Sequence, residues 1–400
     1  MEQRQIKGLQ IARQQQISPT KNGWRVPSQS NKGYYHVSED FNCTCPDAQF
    51  HQKTCKHAYA ARYYLKAEWD TPEGTIVQEK RISRPQAWAA YRQAQTSELR
   101  RFDELLADLV QGVQEPPQGM GRPRVPLRSQ LYCAIQKVYS QLSSRRAYSL
   151  YEQAQEKEQI RAAPSYNVVN VALNKAELTP ILHRLITLSA LPLKAVETRF
   201  AIDSSGFRTR SFGPYAQEKY GMDRQHQWIK AHICTGVKTN VITAVEITDG
   251  HAGDSPRFKP LVASTAQGGF DMQEVSADKA YGSRANYEAV DEVGGRAYIP
   301  FRSNITGKSR GSRLWRKMFL YFQLNQEAFN RHYHQRSNVE TTFSMVKAKF
   351  GDKVRSKNEV AQVNELLCKF VAHNIVVLIH EEAELGIEAV FRESPPSLPA

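Results

Sequence analysis

Long apolar runs are scarce in this sequence of 400 residues. The first 16 residues lack the apolar core of a signal peptide. The longest apolar run near the C-terminus, residues 375–379, is too short to cross a bilayer core of about 30 Å. We therefore expect a soluble intracellular protein with no membrane partner.

Cysteine is also scarce, and six residues in so long a chain exclude a disulfide framework. Three cysteines stand alone in apolar patterns, where we expect buried thiols: Cys133, Cys234 and Cys368. The others form two pairs with a histidine, Cys43-x-Cys45 and Cys55-x-His57, separated by nine residues. Two such pairs suit a tetrahedral Zn²⁺, and four protein ligands leave no open position. The zinc is therefore expected to be structural.

Acidic residues are absent from residues 301–326, which carry six Lys/Arg interleaved with Trp315 and Phe319. Residues 301–357 hold thirteen Lys/Arg against three Asp/Glu, most of the net charge of +14. Local positive charge beside aromatic rings predicts contact with a nucleic-acid backbone. A basic surface loop without a ligand is the alternative.

The first 195 residues divide by composition. Residues 23–41 contain alternating and aromatic segments with turn residues between them, which predict a β-hairpin. Residues 81–113 and 128–195 have helical patterns, and four prolines and two glycines mark residues 114–127 as a linker. A role in DNA binding or assembly is expected for this helical region, although no helix-turn-helix signature is clear.

Strand patterns begin at residue 199. The run RFAIDSSGF predicts a buried strand that ends at Asp203, and residues 227–234 and 240–247 predict two more strands of an antiparallel meander. A later short strand ends at Asp278. An acidic residue at a strand end is often only a turn former, so neither aspartate is decisive alone.

The stretch YHQRSNVETTFSMVK, residues 333–347, predicts one helix. Tyr333, Arg336, Glu340 and Lys347 fall within an arc of about 60° on that helix, so they share a face suited to a polyanion. A solvated face with an Arg336–Glu340 ion pair is the simpler interpretation.

Two aspartates at strand ends and a glutamate on a later helix supply hard oxygen ligands, which suit two Mg²⁺ ions, with Mn²⁺ able to replace them. In this order, Asp203, Asp278 and Glu340 resemble the DDE triad of bacterial insertion-sequence transposases. The spacing Tyr333-x2-Arg336-x3-Glu340-x6-Lys347 matches the YREK signature of one group of these enzymes. The cysteine and histidine pattern resembles a SWIM zinc finger.

The resemblance implies an α/β fold: a ribonuclease H-like mixed sheet flanked by helices, behind a helical region and a small zinc-binding module. It implies that the triad binds both Mg²⁺ ions and that Tyr333, Arg336 and Lys347 contact DNA phosphates. The enzyme would bind its element's ends, cleave the phosphodiester bonds and join the 3′ ends to target DNA. Its expected partners are transposon and target DNA and further copies of itself, in a dimer or larger multimer. A cytoplasmic, nucleoid-associated protein of a prokaryote is expected.

The predicted boundaries are a zinc module at 1–70, a helical region at 81–195, a catalytic domain at 199–382 and a tail at 383–400. Three alternatives remain open. The protein could be an inactive DNA-binding relic or repressor of transposition. The zinc module could bind protein and not DNA. Trp315 could stack on an extruded base or pack in the core, and the loop HAGDS, with His251 and Asp254, could support the metals or be an ordinary loop.

Overall fold

The computed structural model describes residues 3–13, 17–20, 23–29, 33–38, 41–51, 54–71, 74–79, 87–121, 123–209, 228–305, 307–308, 311–389 and 391. The chain divides into two compact units, residues 1–87 and 88–400. The larger unit holds both the predicted helical region and the predicted catalytic domain.

The N-terminal unit is a small mixed structure. Its elements are α1 (Gln3–Arg13), β1 (Ser18–Thr20), β2 (Gly23–Pro27), β3 (Tyr34–Ser38), α2 (Pro46–His51), α3 (Lys56–Leu65), β4 (Lys66–Thr71) and β5 (Gly74–Glu79). Strands β1, β2 and β3 form an antiparallel sheet in that order, which confirms the predicted hairpin, and β4 pairs with β5. Helix α1 packs closely on α3, and a Cβ at Gly8 would lie 2.6 Å from the Cβ of Tyr59. Only glycine allows the two backbones this approach.

The larger unit begins with helices. They are α4 (Trp88–Gln111), α5 (Leu127–Ser140), α6 (Tyr148–Glu156), α7 (Tyr166–Leu173) and α8 (Leu178–Ala190). The described part of the predicted linker has no regular secondary structure between α4 and α5. The start of the helical prediction, residues 81–86, lies outside the described residues.

A five-stranded mixed sheet follows. Its strands are β6 (Arg199–Arg208), β7 (Trp228–Gly236), β8 (Ile242–Asp249), β9 (Glu274–Ala277) and β10 (Arg296–Tyr298), arranged as β10-β9-β6-β7-β8. Strands β6, β7 and β8 are the predicted antiparallel meander, whereas β9 and β10 run parallel to β6. The sheet confirms the predicted α/β class.

The remaining helices flank the sheet or complete the helical core. They are α9 (Ser255–Gln267), α10 (Arg284–Glu292), α11 (Arg313–Leu324), α12 (Gln326–Tyr333), α13 (Ser337–Phe350) and α14 (Glu359–Leu385). The three isolated cysteines are fully buried free thiols, as predicted. The basic segment contains a helix, α11, where we expected a loop.

Helix α14 is long and apolar enough to cross a membrane, but 89% of its most apolar stretch is buried inside the protein. It packs against α4, α5 and α8 and also contacts β8. The Asn374 side chain accepts a hydrogen bond from the backbone N–H of Ile242 at 2.9 Å and donates to the backbone carbonyls of Ile186 and Ile242. The apolar surface of α14 is therefore explained by packing in the core of the protein.

The predicted helix over residues 333–347 is two helices. α12 ends at Tyr333, a single 3₁₀ turn covers His334–Arg336, and α13 starts at Ser337. The dihedral angles stay helical through the turn, with φ −62° and ψ −39° at Tyr333 and φ −56° and ψ −19° at Ser337. The tighter winding of a 3₁₀ turn changes the relative direction of side chains on its two sides. The four residues therefore do not share one regular helix face.

Candidate active site and zinc site

Asp203 lies on the central strand β6, directly after the point where its pairing with the parallel strand β9 ends. In the parallel register Ile202 lies opposite Ala277, so Asp203 and Asp278 are the next residue on each chain. Adjacent strands are about 4.8 Å apart, which brings these two residues side by side. Each carboxylate accepts a hydrogen bond from the following backbone N–H, at 2.8 Å for Asp203 and 2.6 Å for Asp278. The backbone thus fixes the orientation of both acids.

The Arg336 guanidinium joins the strand to helix α13. One of its nitrogens lies 2.6 Å from Asp203 Oδ2, and another lies 2.5 Å from Glu340 Oε1. The predicted Arg336–Glu340 ion pair is therefore present, and the same guanidinium also holds the carboxylate of β6. Glu340 keeps 59% of its side chain exposed, so it is open to a ligand.

The pKa of Asp203 is affected by both of the other predicted acids. Burial raises the pKa of Asp203, the positive charge of Arg336 opposes this rise, and the charges of Asp278 and Glu340 add to it. Among the described residues, however, the one group of three or more His, Cys, Asp or Glu side chains that is gathered tightly enough to hold an ion is the N-terminal cysteine–histidine group. The three carboxylates converge without forming a closed cluster.

The remaining two residues of the predicted site lie beside the acids. Lys347 donates a hydrogen bond to Ser205 Oγ at 2.7 Å, and burial lowers the pKa of Lys347. Because Ser205 is two residues after Asp203 on β6, both side chains point to the same face of the sheet. Burial raises the pKa of the Tyr333 hydroxyl, which also feels the charges of Arg336 and Asp278. The six predicted residues, which come from three parts of the chain, therefore lie together near Asp203 on the central strand β6.

The four potential zinc ligands come together in the N-terminal unit. Cys43 follows β3, and Cys45 immediately precedes α2. Cys55 immediately precedes α3, whose first turn carries His57. Their ligand atoms all lie within 4.8 Å of one another. Tetrahedral zinc with Zn–S bonds of about 2.3 Å holds two sulfurs about 3.8 Å apart, so the cluster has a suitable size.

The chemistry of these donors also fits zinc. His57 is 3% exposed, and its Nε2 has no hydrogen-bond partner among the described residues. A hydrogen bond with Cys43 is the main cause that lowers the pKa of the Cys55 thiol, to about 3, and the backbone N–H of Ala58 also donates to its sulfur at 3.4 Å. Buried imidazole and thiolate groups without an ion would be costly, whereas zinc satisfies them.

Comparison with known families matches a domain in each of the two units. Residues 194–375 match the family model of the transposase DDE domain. The chain contains a transposase DDE domain. Residues 37–66 match the SWIM zinc finger, which supports structural zinc at the four ligands. No curated protein matches the chain in sequence. One solved chain, piggyBac transposase in a synaptic complex with hairpin DNA, resembles it at 10% identity and a TM-score of 0.35, over 76% of each chain.

The DDE domain has a second polar group that sequence reasoning identified only in part. Asp254, from the loop HAGDS, lies 2.5 Å from Lys230 Nζ and accepts a hydrogen bond from Ser204 Oγ at 3.1 Å. Consecutive side chains of a strand point to opposite faces, so Asp254 supports β6 from the face opposite Asp203. The pairing with Lys230 was missed because no local pattern links the two positions. The buried His232, expected to pack, has its Nδ1 3.5 Å from the same carboxylate.

Trp315 packs within the DDE domain. It is 2% exposed, and its ring meets the rings of Phe301 and Tyr287 edge-on at centroid distances of 4.8 and 5.5 Å. The Arg284 guanidinium lies 4.8 Å from the Trp315 ring. Of the two alternatives for this residue, core packing is the one that the structure supports.

Proposed function

We propose that this protein is an insertion-sequence transposase that binds the ends of its element, cleaves the phosphodiester bonds there and joins the freed 3′ ends to target DNA. The observation that carries the proposal is the convergence of three carboxylates, two cations and a tyrosine near Asp203 on the central strand β6. The fit of residues 194–375 to the transposase DDE domain supports the same reaction class.

The carboxylates suit divalent metal ions of the hard type. Asp203, Asp278 and Glu340 would hold two Mg²⁺ ions, because oxygen ligands on separate elements leave positions for water and substrate phosphate. When bound, such ions activate the attacking oxygen and stabilise the leaving one. Arg336 now balances the charge of two of these acids, so the site already accommodates positive charge between β6 and α13.

The surrounding side chains would position the DNA. Lys347 and Arg336 would neutralise phosphate oxygens, and the Tyr333 hydroxyl would donate a hydrogen bond to one of them. In the first step water attacks phosphorus and the P–O3′ bond breaks, which leaves a 3′ hydroxyl and a 5′ phosphate. In the second step that hydroxyl attacks a target phosphate, and the target strand's own 3′ oxygen leaves. Two element ends must be paired for this reaction, so we propose a dimer or larger multimer on DNA.

The test is cleavage of a labelled duplex that carries an end of the element, with Mg²⁺, by the wild-type chain and by Asp203→Ala. We expect the wild type to cut and the variant to bind the same duplex without cutting. Tight binding without cutting by either protein would overturn the enzymatic proposal and favour a repressor of transposition. The reaction is repeated with Mn²⁺, so that a lack of cutting cannot be due to a preference for Mn²⁺ over Mg²⁺.

Arg336→Gln is expected to weaken DNA binding and to flatten its salt dependence. A plot of log K against log salt concentration loses about 0.9 from its slope for each phosphate contact removed. The matched control is Arg331→Gln, which removes the same charge from an exposed position of α12. An unchanged slope with reduced cleavage would mean that Arg336 serves only to position Asp203 and Glu340.

A further inference from the structure

A cavity of about 480 Å³ lies between α5, the end of α7 and the segment 351–358 that connects α13 to α14. Its lining is strongly positive. Five basic residues line it, namely Lys137, Lys353, Arg355, Lys357 and Lys369, against the single acidic residue Glu365. We call it the basic cavity. It does not include the carboxylates of the DDE triad.

Two charged residues of α14 fix the segment 351–358 in place. The Glu365 carboxylate accepts hydrogen bonds from the backbone N–H groups of Arg355 and Ser356, both at 2.8 Å. The Lys369 ammonium is 2% exposed and donates to two backbone carbonyls of the segment at 2.8 and 2.7 Å. Backbone N–H groups therefore already bind the one acid of the basic cavity. Together with the contacts of Lys369, these hydrogen bonds hold the segment in one conformation.

The segment 351–358 exposes three of its cations to solvent. Arg208 of β6 exchanges backbone hydrogen bonds with the segment at both sides of Lys353, so the segment starts as an extended chain. Val354 points inward and is buried, whereas Lys353, Arg355 and Lys357 are exposed. After Val354 the chain turns, because the consecutive N–H groups of Arg355 and Ser356 both donate to the Glu365 carboxylate. The Arg355 guanidinium donates to the backbone carbonyl of Gln141. Three exposed cations within five residues suit a linear polyanion better than a single small anion.

The positive charges of the basic cavity are poorly compensated. Within the described part of the chain, no carboxylate pairs with Lys353 or Lys357. Lys137, on the opposite wall, donates to the neutral oxygen of Asn170 at 3.0 Å, and burial lowers its pKa. An anion in the basic cavity would supply the missing counter-charge.

Helix α13 links the basic cavity to the DDE triad. The helix carries Glu340 near its start and ends at Phe350, which lines the basic cavity. Ten helical residues rise about 15 Å, and one strand of DNA advances about 3.4 Å per nucleotide along the duplex axis. Lys347 lies between the two points on the same helix.

We propose that the basic cavity binds the phosphodiester backbone of DNA about four to five nucleotides from the phosphate at the DDE triad. The inference rests on the proposed function, because the triad fixes where the duplex lies. The backbone would run from the triad past Lys347 and onto Lys353, Arg355 and Lys357. The helical region would take part in this contact through Lys137.

The experiment compares two charge-matched double variants of the full chain. Lys353→Gln/Lys357→Gln removes two cations of the basic cavity, and Lys194→Gln/Lys259→Gln removes two exposed cations elsewhere in the same unit. Binding of a short mixed-sequence duplex is measured by fluorescence anisotropy over a series of salt concentrations. We expect the slope of log K against log salt to fall by about 1.8 for the cavity variant and to stay unchanged for the control. Equal slopes for the two variants would overturn the proposal.

A second measurement locates the contact on the DNA. Single neutral methylphosphonates are placed at successive positions of the end duplex that the wild type cleaves. We expect sensitivity at the phosphates next to the cut and again about four to five nucleotides from it, and the cavity variant should lose sensitivity only in the second region. The same sensitivity profile for both proteins would overturn the placement. If the wild type cleaves but the slopes agree, the basic cavity proposal fails alone; if the slopes differ but nothing cleaves, the proposed reaction fails instead.

Discussion

Glu340→Gln abolishes strand cleavage while DNA binding is retained: this is the result we expect to be largest in the DDE domain. The substitution keeps the size of the side chain and removes a charged oxygen ligand. Metal ions supply several kcal/mol of transition-state stabilisation, so the rate should fall by about a thousandfold or more. Because the side chain is 59% exposed, folding should be unaffected.

The measurement pairs cleavage with binding on one end duplex, and thermal unfolding checks that the variant is folded. Glu327→Gln is the matched control, since it removes the same charge from an exposed position of α12. Cleavage by Glu340→Gln at the wild-type rate would remove Glu340 from the triad. Loss of binding together with cleavage would show that its main role is to hold Arg336.

Cys43→Ser is expected to release zinc and unfold the N-terminal unit. Zinc contributes about 10–16 kcal/mol of apparent binding free energy to zinc-finger peptides, against a total stability of about 5–15 kcal/mol for an ordinary domain. The apolar core of this unit is small, with seven buried side chains in its main cluster: Ile11, Ile17, Trp24, Val26, Val37, Ala60 and Ala61. That core is too small to replace the metal.

Zinc content per chain and limited proteolysis of the full chain test this prediction. We expect new cleavage sites within residues 1–87, while residues 88–400 stay resistant. Asn42→Ser, at the exposed neighbouring position, should keep both zinc and resistance. One zinc per chain in Cys43→Ser would mean that another residue completes the site. A strong chelator should reproduce the variant's behaviour in the wild-type chain.

The sequence was sufficient to single out the side chains that the fold brings together around Asp203. Asp278 was predictable because it directly follows a short buried strand, which is a local pattern. Asp203 was singled out by the buried run before it, although β6 continues past Asp203 to Arg208 and does not end there as predicted. Their adjacency depends on the parallel register of β6 with β9, which no local pattern encodes. The pairing of Asp254 with Lys230 escaped prediction for the same reason.

Helical periodicity in the sequence does not determine the details of helix geometry or packing. The pattern over residues 333–347 does not separate an α-helix from two helices joined by a 3₁₀ turn, since the dihedral angles are nearly the same. The apolar pattern of helix α14 is equally unspecific, because the helix packs mostly against the helices α4, α5 and α8 and only in part against the sheet. An apolar face indicates that one side of a helix is buried, but it does not indicate which element packs against that side.

The central place of α14 also bears on how the protein is made. This helix, which ends at Leu385, fills the core between helices that were synthesised up to about 300 residues earlier. Glu340 likewise lies 137 residues after Asp203, and both carboxylates bind the guanidinium of Arg336. Contacts at such long sequence separation form late, because loop closure must precede them. A nascent or truncated chain that stops before α14 should therefore have neither a finished core nor an assembled candidate active site, so the DNA cleavage that we propose would begin only once synthesis has passed this helix.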